Sequence, residues 1–204
     1  MRAWSDETME RARSLVASYP EARSAVMPLL YLAMREEGGS LSDDGMRVVA
    51  DLIGITPVQV KAVASFYTMY KRHVGRHLVS VCTSISCHLL GADEVLTAAA
   101  AEVGVPVGGT AADGSVTVEG VECIGACGGA VAVQVDYEFV EGVTPDAARS
   151  LCRWLIDESP ETVHSDAMQE RFGGRTAFDW GSEDPTEAVG PMPAFGPYGT
   201  AGGA

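Results

Sequence analysis

No run in this chain approaches the roughly 18 consecutive apolar residues that a membrane-spanning helix requires, so direct membrane insertion is not expected. Cations are also scarce. Lys and Arg number 14 against 28 Asp and Glu, and the net charge of −14 repels nucleic acid and anionic membranes while favouring a basic protein surface. The opening residues, Met1-Arg2-Ala3-Trp4-Ser5-Asp6-Glu7, lack the apolar core of a secretion signal, which points to the cytosol or an equivalent reducing compartment. There is no Gly-x-Gly-x-x-Gly after a strand and no Gly-Lys-Ser/Thr phosphate loop. Gly108-Gly109 lies in a turn-like stretch without the helix start that a phosphate site needs. Ser80, Ser84 and Ser86 have no evident base beside them, which leaves nucleophilic hydrolysis unsupported. No Cys-x-x-Cys stands at a helix start, which argues against dithiol exchange. What is present is a chain of 204 residues, 47% apolar and 21% charged, enough for one large or two small cores.

Residues 1–74 read as an N-terminal helical bundle. Met9, Ala12, Leu15, Val16 and Tyr19 recur at helical spacing behind Ser5, an N-cap, and Tyr19-Pro20 closes that helix. Ser24 opens a second helix over 25–37, with Pro28 near its first turn and Gly38-Gly39 at its end. Ser42 caps a third, which places Met46, Val49, Leu52 and Ile53 on one face before Gly54. Thr56-Pro57-Val58-Gln59 is the sharpest start, a capping box with proline at the first helical position; its helix is expected to run towards Tyr70.

Residues 75–158 change period. Leu78-Val79-Ser80-Val81 is a short strand ending at Cys82, and a helix with Leu89, Leu90, Val95, Leu96 and an alanine run follows, stopping at Gly104. After the Asp113-Gly114 turn, Val116, Val118 and Val121 form a strand leading to Cys123. Val131, Val133 and Val135 alternate in a strand over 130–136, Asp136-Tyr137 turns, and another strand runs over 138–143. Thr144-Pro145-Asp146 opens a last helix with Ala148, Leu151, Cys152, Leu155 and Ile156 on one face. The order β-α-β-β-β-α predicts a small α/β sandwich with a mixed sheet, α+β when the bundle is included. Residues 159–204 hold 8 Gly and 5 Pro among 46 residues, and are expected to be a disordered acidic tail. Its rings, Phe172, Phe178, Trp180, Phe195 and Tyr198, suit a tail that orders against a partner.

Five cysteines in a reducing compartment point to metal or redox chemistry before disulfides. Four are paired: Cys82-x4-Cys87, then 35 residues, then Cys123-x3-Cys127. Each pair stands at a strand end or in the loop after it, so adjacent strands can bring the four sulfurs to one point. Thiolates suit iron–sulfur clusters and zinc alike, and a [2Fe-2S] cluster takes four, two per iron. The loops carry Thr83, Ser84, Ser86, Gly125, Gly128 and Gly129, whose hydroxyls and freely turning backbone can aim donors at sulfur. Zinc stays open as an alternative, although the usual Cys-x2-Cys knuckle is absent. Cys152 lies mid-helix on an apolar stripe and reads as core. His88 reads as a solvated helix-start residue, and a Rieske centre would need a second nearby histidine. His73, His77 and His164 share no ligand spacing.

Tyr19-Pro20, Met27-Pro28-Leu29-Leu30, Val63-Ala64-Ser65-Phe66-Tyr67, Val81-Cys82, Ser86-Cys87, Gly91-Ala92 and Glu122-Cys123-Ile124-Gly125-Ala126-Cys127 closely resemble the NuoE family, over about residues 10–157. These are the thioredoxin-like [2Fe-2S] subunits of the NADH-oxidising module of respiratory complex I. The resemblance implies a helical bundle followed by a thioredoxin-like domain, with Cys82, Cys87, Cys123 and Cys127 as cluster ligands. It implies as partners a subunit that binds FMN, NADH and a [4Fe-4S] cluster and the large iron–sulfur subunit of complex I. It also implies a peripheral place on the cytoplasmic face of the membrane. On that resemblance FMN and NADH stay on the partner, and the chain exchanges single electrons with the flavin as a side reservoir of low potential. The same module serves NAD-linked hydrogenases and formate dehydrogenases, which is the alternative host. One departure is Ala130-Val131, where the family usually reads Ala-Pro, so the entry to the next strand is expected to differ locally.

Overall fold

The computed structural model describes residues 4–174. The chain divides into two compact units, Met1–His73 and Val74–Ala204.

In the first unit each helix begins where local chemistry supplies a cap. Helix α1 (Asp6–Ala17) starts behind Ser5, whose side chain accepts from Thr8 N–H, and Asp6 and Glu7 fill its first turn, where the helix dipole favours negative charge. A 3-10 turn over Ala22–Ala25 precedes α2 (Val26–Glu36). The expected start at Ser24 is therefore displaced, and Pro28 becomes the third helical residue, where its missing N–H would have had no intrahelical partner. Helix α3 (Asp43–Ile53) is capped by Ser42 and ends at Gly54 with φ 69°, a left-handed closure suited to glycine. Helix α4 (Pro57–Phe66) carries the full capping box between Thr56 and Gln59. It stops short of Tyr70, because Tyr67 is extended and the chain turns so that Tyr70 Oη donates to Met27 O at 3.0 Å. Leu29, Leu30, Met34, Met46, Val49 and Val60 fill this unit's core. Among the described residues no single helix is long and apolar enough to cross a membrane.

In the second unit β1 (His77–Cys82) is buried at all six positions, as a central strand covered on both faces must be. It pairs parallel with β2 (Val116–Val121) and antiparallel with β3 (Val133–Val135), which pairs with β4 (Glu138–Val140), giving the order β2-β1-β3-β4. Between β1 and β2 run the short helix α5 (Ile85–Leu89) and α6 (Ala92–Val103). Helix α7 (Pro145–Asp157) begins at a Thr144 cap and buries Ala148, Leu151, Cys152 and Leu155. Ala98, Ala99 and Ala100 of α6 are buried too, and such small side chains allow α7 close approach.

The strands expected over 130–136 and 138–143 are shorter than their sequence pattern. At residue 132 Ala132 O still accepts from Cys82 N–H in register with β1, but its N–H turns to the Cys87 thiol at 3.5 Å, and Val131 O accepts from Val143 N–H at 3.0 Å. The Ala130–Val131 peptide, at the family's usual Ala-Pro position, is cis. Asp136 and Tyr137, with φ 51° and 76°, make the two-residue turn whose twist matches an antiparallel pair. The Asp136 carboxylate accepts from Leu78 N–H at 2.7 Å and meets His77 Nδ1 at 2.7 Å, both side chains fully buried.

The expectation of a structureless tail from residue 159 is corrected for its first part. Helix α8 (Ser165–Phe172) packs Met168 and Phe172 into the second unit's core. It covers the outer edge of β4: Ser165 Oγ accepts from Phe139 N–H at 2.9 Å and Gln169 Oε1 from Glu141 N–H at 2.8 Å. Two side chains one helical turn apart thus reach two N–H groups one strand repeat apart, satisfying an edge that would otherwise be open. Phe172, expected to face a partner, lies 5.5 Å from the Trp154 ring instead. Phe178, Trp180, Phe195 and Tyr198 lie outside the described residues.

Candidate metal centre

Both cysteine pairs sit at one end of the parallel β1–β2 ladder, where Cys82 is opposite Val121. Cys82 closes β1. Cys87 lies inside α5, a helix of five residues where the sequence suggests only a loop, and this turn of helix directs its thiol back toward the strand end. Both are buried, while Cys123 and Cys127 are exposed. All five cysteines are free thiols.

The two pairs lie near enough to influence one another's charge. Cys123 Sγ lies 3.5 Å from Cys127 Sγ. The Cys87 thiol faces Cys82 and Cys127, and Cys127 also senses Cys82. Ala132 binds the buried pair through its backbone: its N–H donates to Cys87 Sγ at 3.5 Å, and its carbonyl accepts from Cys82 N–H at 3.1 Å. The electrostatics differ from one thiol to the next. Burial pushes the Cys87 thiol up, with the Ala132 N–H opposing it. The Gly125 N–H, then the Cys127 thiol, hold Cys123 below its ordinary range. Cys127 is pushed up, first by its bond with Cys123. Cys123 is thus the readiest thiolate of its pair.

The small residues of the loops divide their work. Gly125 has φ 87°, the left-handed turn that aims its N–H at Cys123. Gly129 is needed for space, since a Cβ there would overlap the Glu141 carboxylate. Of the three hydroxyls expected near sulfur, only Ser86 bonds a thiol, that of Cys127. Thr83 Oγ1 donates to Val121 O at 3.1 Å and Ser84 Oγ to Glu122 Oε2 at 3.3 Å, stapling the ends of β1 and β2. Ser80 Oγ is engaged by Glu119 Oε1 at 2.8 Å. His88 is exposed and lies 3.3 Å from Asp93. Cys152 is wholly buried within the core.

Among the described residues no three or more His, Cys, Asp and Glu side chains are gathered closely enough to hold a metal ion as they stand. The thiols form two pairs, one buried and one exposed, and four soft sulfurs in two pairs fit the needs of a two-iron cluster. Sequence reasoning missed Ala132, which acts through its backbone and leaves no side-chain signature. It also missed Glu141, whose burial depends on packing against Gly129.

The sequence matches the family described as thioredoxin-like [2Fe-2S] ferredoxin over residues 12–155. It is 40% identical over 151 residues to the NADH-quinone oxidoreductase E subunit of Mycobacterium tuberculosis (strain ATCC 25618 / H37Rv), covering 74% of this chain and 60% of that protein. Identity is 34% over 143 residues to the corresponding E subunit of Rickettsia conorii, covering 69% of this chain and 86% of the relative. It is 34% over 163 residues to the mitochondrial NADH dehydrogenase [ubiquinone] flavoprotein 2 of Dictyostelium discoideum, covering 78% and 66%. The chain therefore spans only about 60% of the length of its mycobacterial relatives. Its fold is similar to that of a chain in an NAD+-reducing [NiFe]-hydrogenase, with TM-score 0.58, 18% identity, and coverage of 74% of this chain and 25% of that one; at that identity the likeness concerns the fold alone. With the family matched across both cysteine pairs and the Rickettsia relative matched over most of its length, the chain belongs to the thioredoxin-like [2Fe-2S] ferredoxin family, among the E subunits of NADH-quinone oxidoreductases.

Proposed function

We propose that Cys82, Cys87, Cys123 and Cys127 hold one [2Fe-2S] cluster and that the chain is an electron-transfer subunit beside the flavin site of an NADH:quinone oxidoreductase. The observation that carries this reading is the placement of two cysteine pairs, 35 residues apart in sequence, at one end of the β1–β2 ladder, with Ala132 bound to both members of one pair. When bound, the cluster supplies a centre that takes up and returns one electron at a time.

The chain's own residues set the conditions. Cys82 and Cys87 would hold the side of the cluster that is shut off from water, and Cys123 and Cys127 the side open to a partner. The N–H groups of Ala132 and Gly125 and the Ser86 hydroxyl favour thiolate over thiol. The partners in this reading are the subunit that binds FMN, NADH and a [4Fe-4S] cluster and the large iron–sulfur subunit. Through them the chain sits peripherally on the cytoplasmic face of the membrane. The relatives' names support the assignment to NADH oxidation over the hydrogenase and formate dehydrogenase hosts.

The test is anaerobic purification of the native complex through a tag on this chain. A flavin-containing NADH dehydrogenase subunit should accompany it, and dithionite should develop a [2Fe-2S] EPR signal that Cys123→Ser lacks. Hydrogenase or formate dehydrogenase subunits in its place would move the chain to the other host. A chain recovered with no flavoprotein partner would contradict the reading.

A further inference from the structure

Glu141 is a buried carboxylate that none of the chemistry above uses. It is 8% exposed and follows β4, and its carboxylate packs on the Cα of Gly129, filling the place a Cβ would take. Gly129 lies two residues beyond Cys127 and ends the 3-10 turn over Cys127–Gly129. The main chain is fixed on both sides of this contact. Glu141 N–H donates to Gln169 Oε1 at 2.8 Å, and Glu141 O accepts from Gln169 Nε2 at 3.2 Å and from Gly174 N–H at 3.1 Å. Next to it, Gly142 N–H donates to Gly129 O at 2.8 Å. Helix α8 thus holds Glu141 against the loop that carries Cys127.

We propose that Glu141 lowers the reduction potential of the cluster by placing a buried negative charge beside the Cys127 loop. This rests on the four-cysteine reading. Four thiolates, two sulfides and two ferric ions sum to two net negative charges, and reduction adds one electron to that total. A carboxylate held nearby opposes the added electron, and burial weakens the solvent screening that would otherwise mute it. Glycine at 129 has a role in this arrangement, since any side chain there would push the carboxylate away from the loop.

The test is an anaerobic redox titration, followed by EPR, of the full chain as wild type, Glu141→Gln and Glu141→Asp. Glu141→Gln keeps the shape and removes the charge. Its midpoint should move to a more positive value, by about a tenfold change in the reduced-to-oxidised ratio at fixed potential, about 59 mV for one electron. Glu141→Asp should stay nearer the wild type, and both variants should keep their iron and sulfide. No shift in Glu141→Gln, a negative shift, an equal shift in Glu141→Asp, or loss of the cluster from Glu141→Gln would each overturn the proposal, because the side chain would then act by shape or not at all. A wild-type chain without iron and sulfide would sink the four-cysteine reading itself, and this inference with it.

Discussion

The backbone N–H of Ala132 donates to Cys87 Sγ across 3.5 Å. The carbonyl of the same residue accepts from Cys82 N–H, so one residue is bonded to both members of the buried pair, to the thiol of Cys87 and to the backbone of Cys82. The buried half of the proposed centre is therefore organised by the sheet itself: Cys82 ends a strand whose six positions are all covered, and residue 132 is delivered by the approach to β3. The exposed half has no such support. Cys123 and Cys127 hang on a loop fixed by Gly125, by Ser86 and by Glu141 on Gly129.

Replacing a ligand tests which thiols matter. Serine at 82, 87, 123 or 127 should remove most or all bound iron, because a [2Fe-2S] centre needs all four sulfurs. Cys152→Ala should retain it. Iron and acid-labile sulfide per chain, measured on each variant, check both statements, and cluster loss in Cys152→Ala would place that residue at the centre.

Cys152 also provides a pH test. Burial, with the Glu102 charge adding to it, pushes its thiol up to about 12, against about 8.5 in an unfolded chain. The folded state therefore keeps a proton that the unfolded state loses between those values. Below about pH 8.5 this group leaves stability unchanged, and above it stability should fall by up to about 1.4 kcal/mol per pH unit. Denaturant melts from about pH 7 to about pH 10 should show a shallower alkaline decline in Cys152→Ala than in wild type. The thiol should also resist maleimide labelling in the native protein and react once it is unfolded.

Much of this was legible in the sequence where the cause is local. Ser5, Ser42, Thr56 and Thr144 each cap the helix that follows, and a cap needs only its neighbours in the chain. The β-branched run ending at Cys82 and the two cysteine pairs were equally plain. Helix α8 was not legible. Its eight residues are too few to be stable alone, and it exists because Ser165 and Gln169 find the edge of β4 while Met168 enters a core built from segments far earlier in the chain. Ala132 and Glu141 escaped for the same reason: a backbone donor and a carboxylate gain their roles from what folds against them.

Helix α8 should count as part of the second unit. Met168 is fully buried, and Met168→Ala should cost about 2–5 kcal/mol, the range for a large side chain deleted from a core. A chemical denaturation midpoint checks this. A change within error of zero would mean that the helix is not packed as described.

The Asp136–His77 pair ties the β3–β4 turn to the start of β1. Asp136→Ala strips a partner from His77 Nδ1 and from Leu78 N–H together, and His77 Nε2 is already buried without one. The expected cost is about 2–4 kcal/mol, with Asp136→Asn milder because it still offers an acceptor. Amide hydrogen exchange at Leu78 should accelerate in the alanine variant and much less in the asparagine one.

Metal content is the most direct measurement of all. Protein expressed with iron and purified without oxygen should carry two irons and two acid-labile sulfides on Cys82, Cys87, Cys123 and Cys127, and should give a one-electron EPR signal after dithionite. A colourless protein, or one holding a single zinc and no sulfide, would contradict it.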